Sequence, residues 1–296
     1  MNLKRKQFIK LSSLLVMNKV IPLNTFYETV NQFIPDSAVM PAIFIGHGSP
    51  MNAIADNAFT QSLSKLANHI PKPKAILVVS AHWLTRGTYV ASTSQPKTIY
   101  DFGGFAEELY RIKYPAPGSP DFAELVKNEL SSIHAQADSD MGFDHGTWSI
   151  LRHMYPQADI PTFQLSIDYT KPAEWHYKMA AQLASLRTKG LLIVGSGNIV
   201  HNLGMIKWDS NSAKAYDWAI EFDENVKRLL IDTNHTSLIH YTKLGKAAQL
   251  AVPTNDHYLP MLYINGVQQK NDAIAFTYEG IDMGSISMLC IVYQPV

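Results

Sequence analysis

Apolar residues along this chain gather into short uninterrupted runs that stop at glycine or a small polar residue, and between the runs they return at helical spacing. Ala42-Ile43-Phe44-Ile45 stops at Gly46-His47-Gly48-Ser49-Pro50-Met51. Ala75-Ile76-Leu77-Val78-Val79 stops at Ser80-Ala81-His82-Trp83. Leu191-Leu192-Ile193-Val194 breaks into Gly195-Ser196-Gly197-Asn198, with His201 shortly after. Runs that are apolar throughout suit strands covered on both faces, as in an α/β sheet.

The intervening stretches predict helices. Ala58, Phe59, Leu63 and Leu66 share one helical face within Asp56–Leu66, and Pro71-Lys72-Pro73-Lys74 ends that element. Ser119 as cap and Pro120 at the first position open a helix running to about Ile133. Further helices are expected through Tyr155, over Glu174–Leu186 with Lys189-Gly190 as its stop, over Tyr216–Leu230 and over Lys246–Leu250. Pro161–Ile167, Ala273–Tyr278 and Ile286–Tyr293 read as strands. Glycine and proline crowd Asp101-Phe102-Gly103-Gly104-Phe105 and Tyr114–Gly118, which predicts a long ordered loop lining or covering a site. Strands and helices alternate without an internal repeat. That favours one α/β domain over 38–296, a central mixed sheet flanked by helices, preceded by a leader or helical extension over 1–37.

The extension opens with Lys4-Arg5-Lys6 and an apolar segment from Leu11 to Met17, which resembles a degenerate twin-arginine export signal. An amphipathic helix packed on the domain is the competing reading, because Asn18-Lys19 interrupts the run and no small-x-small cleavage site follows. A cytoplasmic protein is expected, with export as the alternative. The apolar segment is too short to span a membrane.

Composition narrows the chemistry. Basic and acidic residues balance at 25 each, so no nucleic-acid or anionic-lipid partner is indicated. Cys290 is the only cysteine, which removes disulfide frameworks and cysteine-rich metal sites. Any metal must be held by histidine and carboxylate. His47, His82 and His201 share one setting, an apolar run, a small residue, then imidazole. In open α/β sheets the carboxyl ends of neighbouring strands are where ligands bind. His145 and His257 each follow an aspartate in a turn-like segment, and Asp144 and Asp256 are candidate outer partners by proximity. A lone histidine after a strand is usually an ordinary hydrogen-bonded residue, but several in matched settings point to one metal. His69, His134, His153, His176, His235 and His240 lack that setting and are read as surface or packing residues. The Gly195–Asn198 stretch fits neither dinucleotide nor Walker patterns, and no nucleophile elbow surrounds Ser49. Histidine with oxygen donors suits zinc or iron(II).

Five motifs together carry a family likeness. They are Gly46-His47-Gly48-Ser49-Pro50-Met51; Ser80-Ala81-His82-Trp83; Asp144-His145-Gly146-Thr147-Trp148; Gly195-Ser196-Gly197-Asn198 with His201-Asn202-Leu203; and His257-Tyr258-Leu259-Pro260. From about Met40 to the C-terminus the chain resembles the DODA-type extradiol aromatic ring-opening dioxygenases, of class III. The resemblance implies that family's catalytic-subunit fold and one divalent metal per subunit, Zn2+ or Fe2+, with Fe2+ expected for ring cleavage. It implies metal ligands His47, His82 and His257, with His201 either a fourth ligand or an acid/base, and His145 contacting substrate or oxygen. Related class III enzymes use a glutamate where this chain offers His257. The implied reaction inserts both atoms of O2 next to the diol of a catechol, by 4,5-cleavage of DOPA or a relative, giving a muconate-semialdehyde-type product. Ser49, Trp83 and Tyr258 are the expected substrate-binding residues, and Trp148 and Phe102 are further candidates for a flat pocket wall. The expected partners are a small catechol and O2, on a monomer or small homo-oligomer. Zinc-dependent hydrolysis, and a non-catalytic binding protein on the same scaffold, are the rival readings.

Overall fold

A computed structural model describes residues 20–23, 39–208 and 214–296. Six strands form the main sheet: β1 (Ala42–Gly46), β2 (Ala75–Ser80), β3 (Thr162–Gln164), β4 (Leu191–Gly197), β5 (Asp272–Tyr278) and β6 (Cys290–Pro295). Their spatial order is β3-β2-β4-β1-β6-β5. The first four run parallel, while β6 is antiparallel to both β1 and β5, so the sheet is mixed as the sequence predicts.

Alternation along each strand divides the core into two layers. Ala42 and Phe44 of β1, Leu77 and Val79 of β2, and Leu191 and Ile193 of β4 face one layer. Ile43 and Ile45, Ile76 and Val78, and Leu192 and Val194 face the other. The second layer is closed by α1 (Ala58–Ala67) through Phe59, Leu63 and Leu66, and by α3 (His145–Met154) through Trp148, Ile150 and Leu151. The first is closed by α2 (Pro120–Glu129), α4 (Ala173–Ala181), α5 (Asp217–Ile231), the short α6 (His235–Ile239) and α7 (Lys246–Ala251), and α8 (Leu259–Gly266). Apolar helices on both faces explain why the parallel strands read as unbroken hydrophobic runs.

Some boundaries depart from the sequence reading. Helix α2 stops at Glu129, a separate 3-10 turn spans Ser131–Ile133, and Ser119 makes no side-chain cap bond. The run Ile286–Tyr293 is two strands. Ile286–Ser287 pairs with Ile281–Asp282, while Cys290–Pro295 joins the main sheet. The chain changes partners there because Val200 O takes the Ser287 N–H and Gly280 O takes the Met288 N–H. Of the N-terminal extension only Val20–Leu23 lies within the described residues, where the Ile21 N–H donates to Ile274 O at the edge of β5. The export-signal segment lies outside them. No helix among the described residues is long and apolar enough to cross a membrane.

At the end of the sheet where the parallel strands begin, the fully buried Arg187 is paired with Asp272. Nη1 donates to Asp272 Oδ2 at 2.6 Å and Nη2 to Oδ1 at 3.0 Å. Nε donates to Met40 O, Nη1 also to Val267 O and Nη2 also to Tyr293 O, so all five guanidinium protons have acceptors. Replacing Asp272 with alanine leaves that cation buried without its counter-charge. The expected loss is about 3–5 kcal/mol, read from denaturant unfolding of the variant against the parent chain. A loss below about 1 kcal/mol would show that the pair is stably replaced by water.

Candidate active site

The three parallel strands end level with one another because β4 sets their register. Ile45 and Ser80 both pair with Ser196, and Gly46 pairs with Gly197. Past the strand ends, backbone bonds carry that register into the loops. The His47 N–H donates to Gly197 O at 3.1 Å, the Ala81 N–H to Ser196 O at 3.0 Å, and the Asn198 N–H to His257 O at 2.9 Å. A Cβ on Gly197 would lie 2.2 Å from His257 O, so only glycine lets the His257 backbone come this near. Gly146 does the same for His82, since a Cβ there would meet the ring at 2.9 Å.

The outcome is a convergence of imidazoles. One ring nitrogen each from His47, His82 and His257 lie within 4.8 Å of one another, and the His47 and His82 Nε2 atoms are 3.1 Å apart. The protons follow from the outer partners. Ser196 Oγ donates its single proton to Gly146 O at 2.6 Å, so its 3.0 Å contact with His47 Nδ1 requires the proton on that nitrogen. Asp256 Oδ2 accepts from His257 Nδ1. The Asp101 carboxylate faces His82 Nδ1 at 3.5 Å. His47 and His257 therefore carry the proton on Nδ1, which leaves the Nε2 of each with a bare lone pair. His47 Nε2 can then only accept at its 3.1 Å approach to His82 Nε2. The donor set thus fits a divalent metal with three protein ligands and open positions.

Electrostatics agree. Burial, reinforced by His257, His145 and His201, pushes the His47 imidazole well below its ordinary value. Burial and then His145 and His47 do the same to His82. Both rings are neutral at pH 7, the form a metal requires. Burial opposes ionisation of Asp256, but its hydrogen bond to His257 overcomes this and holds the carboxyl below the usual range.

His145 is the first residue of α3 and lies against the same group, its ring 3.9 Å from that of His82 centre to centre. Its partner is not the neighbouring Asp144. That carboxylate caps α3 by accepting from the Thr147 N–H, and it also accepts from Ser80 Oγ and Gln164 Nε2. Asp101 serves His145 instead, Oδ1 taking the backbone N–H and Oδ2 the Nδ1–H, both at 2.8 Å.

His201 stacks face to face on His257 at 3.5 Å, with the rings 8° apart. Ligands to one ion must have ring planes that both contain it, and parallel planes at this spacing do not meet. His201, Asp256 and His257 also bring one possible ligand atom each within 4.8 Å of one another, and the stacking sets His201 apart from the His47, His82 and His257 group. Burial, then His257, pushes its pKa down to about 3. Neither of its ring nitrogens is hydrogen-bonded among the described residues.

The expected substrate wall is largely displaced. Tyr258 is fully buried, donates its hydroxyl to Leu238 O at 3.0 Å and packs on Tyr241, so it belongs to the core. Trp83 is buried in the layer with Leu165 and Ile167, and Trp148 is buried with its indole N–H on Ile99 O. Ser49 is partly exposed and accepts from the Met51 N–H. Of the aromatic candidates only Phe102 stands at the site, edge-on to His145 at 5.5 Å, with Tyr100, Phe105 and Tyr110 behind it.

Residues 41–283 match the family described as the catalytic LigB subunit of aromatic ring-opening dioxygenase. The chain belongs to this family. It is 48% identical over 266 residues to the 4,5-DOPA dioxygenase extradiol of Escherichia coli (strain K12), covering 88% of this chain and 97% of that protein. It is 35% identical over 255 residues to the 4,5-DOPA dioxygenase extradiol of Beta vulgaris, covering 84% and 94% respectively. A crystal structure of an uncharacterized protein from Escherichia coli K12 is similar with a TM-score of 0.76 at 45% identity, over 86% of this chain and all of that one. As a member of the aromatic ring-opening dioxygenases, the chain is an enzyme.

Within this family member two outer residues, Asp101 and Ser196, were not singled out from sequence. Asp101 sits in a segment marked only by its turn residues, and Ser196 inside a motif noted for its glycines. Ser196→Ala removes the acceptor that holds the His47 tautomer. Zinc or iron affinity, measured by chelator competition, is expected to fall about 10- to 100-fold while the fold persists. Unchanged affinity would place the tautomer under other control.

Proposed function

We propose that this dioxygenase is metal-dependent and cleaves a catechol, DOPA or a close relative, beside its diol. The observation that carries this reading is the convergence of one ring nitrogen each from His47, His82 and His257 within 4.8 Å, the Nε2 atoms of His47 and His82 being 3.1 Å apart. Three neutral ligands leave both charges of a divalent cation uncompensated, which favours an anionic chelating oxygen ligand such as a catecholate. His47, His82 and His257 would hold iron(II), which would supply a redox-active positive centre for a catechol and dioxygen.

The residues of the chain do the rest. His47, His145 and His257 are buried, so bulk water is largely excluded around the group. His145 holds its own proton on Nδ1 toward Asp101, which leaves Nε2 as the atom able to take a proton from a catechol hydroxyl. His201, neutral and with both nitrogens unengaged by the described residues, is assigned the second proton transfer: it takes a proton from the bound catechol and gives that proton back as the ring opens. Phe102 offers an aromatic edge to a flat ligand, and Ser49 keeps a hydroxyl proton for a ligand oxygen. Both atoms of O2 enter the product, giving a muconate-semialdehyde-type compound, and no outside reductant is consumed.

The test is to load the protein with iron(II) anaerobically, add DOPA and admit air. Oxygen uptake equimolar with DOPA and a new visible chromophore are expected, with zinc-loaded protein inert. No uptake across a panel of catechols, with iron shown to be bound, would overturn the reading. His257→Ala should lose the metal yet keep the melting transition. His201→Ala should keep the metal and lose turnover. Metal loss in that second variant would make His201 a ligand, contrary to the stacked arrangement.

A further inference from the structure

We propose that Asp101 is a positioning residue for the ring-opening reaction, its carboxylate fixing the proton of His145 on Nδ1 so that Nε2 remains the accepting atom. This rests on the metal-dependent catechol reading for what the accepting atoms do, but the placement itself is independent of it.

Asp101 is held on a rigid support. The segment before it is bridged to the start of the α3 region, with the Ile99 N–H donating to Phe143 O at 2.7 Å and the Phe143 N–H to Lys97 O at 2.8 Å. The indole of the buried Trp148 donates to Ile99 O at 2.8 Å. The chain therefore delivers Asp101 to the N-terminus of α3, where its negative charge is favoured by the helix dipole. There Oδ1 takes the first backbone N–H of the helix and Oδ2 takes the ring N–H of the same residue. Oδ2 is also the atom 3.5 Å from His82 Nδ1.

A helix cap alone would not call for this residue. Asp144 already caps α3 through the Thr147 N–H. What Asp101 adds is a hold on the His145 ring by the same carboxylate that takes that residue's backbone N–H. The next residue, Phe102, is the aromatic group at the site, so one short segment sets both the wall and the proton.

Asparagine is nearly isosteric but inverts the proton logic. The His145 backbone N–H still needs an acceptor, so the amide oxygen must stay at the Oδ1 position. The amide nitrogen then faces His145 Nδ1 as a donor, and the ring must carry its proton on Nε2 instead. The orienting carboxylate of a serine-protease histidine responds in the same way to this change.

The experiment uses zinc-loaded full chain with 15N-labelled histidine, and reads the proton-bearing nitrogen of His145 by long-range 1H–15N correlation, assigned with His145→Gln. The parent should show Nδ1–H, and Asp101→Asn should show Nε2–H with zinc content unchanged. In the iron-loaded protein the same variant should lower kcat about 10- to 100-fold while KM moves less than about threefold. Asp101→Glu, which restores a carboxylate, should recover Nδ1–H and part of kcat. Should Asp101→Asn not fold, Asp101→Ala is read by the same spectrum and should lose the fixed Nδ1–H. Persistence of Nδ1–H on His145 in Asp101→Asn, or in Asp101→Ala should Asp101→Asn not fold, or a kcat of that variant within about threefold of the parent, would overturn the assignment. If the parent itself shows no catechol turnover, the functional reading fails while the zinc-form spectrum still decides the role of Asp101.

Discussion

The Ser196 hydroxyl has one proton, and where that proton goes organises the site. It is given to Gly146 O, at the start of α3. Ser196 can then only accept from His47, so the His47 proton is drawn to Nδ1 and the opposite nitrogen is stripped bare. The same residue's carbonyl accepts the Ala81 N–H, which sets the approach of His82. A serine at the end of the central strand thus couples β1, β2 and α3, and each of those carries one histidine of the group. Had the hydroxyl donated to His47 instead, the ring would turn a proton inward and the group would lose one of its three acceptors.

Glycine is the other requirement, and its role here differs from simple clearance around a metal. Gly46 and Gly48 do not open space toward the imidazoles. A Cβ on Gly46 would strike Ser287 O at 2.7 Å, and on Gly48, which has φ +63°, it would strike the Met288 side chain at 2.5 Å. These positions let the bent segment between the last two strands pack tightly behind His47. Gly146 and Gly197 are the ones that bring His82 and His257 in. Convergence is therefore a packing result, with backbone against backbone, before any ligand is considered.

This division explains what could be read from the sequence. His47 and His82 end strands whose hydrophobic runs are unmistakable, and β4 places those strands side by side. His257 was reachable because its outer partner, Asp256, precedes it and does bond to it. The same adjacency argument failed for His145, since Asp144 points into the Ser80–Gln164–Thr147 network and a residue 44 positions upstream takes its place. Nothing in local pattern marks such a contact. It depends on the Thr98–Phe143 bridge, which joins two irregular segments. Tyr258 and Trp83 show the opposite case: each follows a site histidine in sequence, yet its side chain is buried in the core. His201, in the same strand-end pattern as the others, lies four residues past β4 rather than next to it, and the extra length lets its ring lie flat on His257 instead of pointing with it.

The two ends of the parallel strands meet buried polarity in opposite ways. Where the strands begin, Arg187 and Asp272 satisfy every donor they bring, and the result is closed to any ligand. Where they end, the outer nitrogens of His47 and His257 are matched by Ser196 and Asp256, but the inner nitrogens of the group are left facing each other. A fold that merely needed to bury histidine would pair both sides of each ring. Converging buried ring nitrogens without a donor for each is costly for the protein alone, and the arrangement is compatible with a cation completing the group. The completed outer shell also decides how much freedom remains. With the Nδ1 protons of His47 and His257 fixed, those rings have no tautomer to exchange. Of the two imidazoles beside the group, His145 has an outer partner in Asp101 and His201 has none among the described residues, and that asymmetry sets how firmly each ring is held.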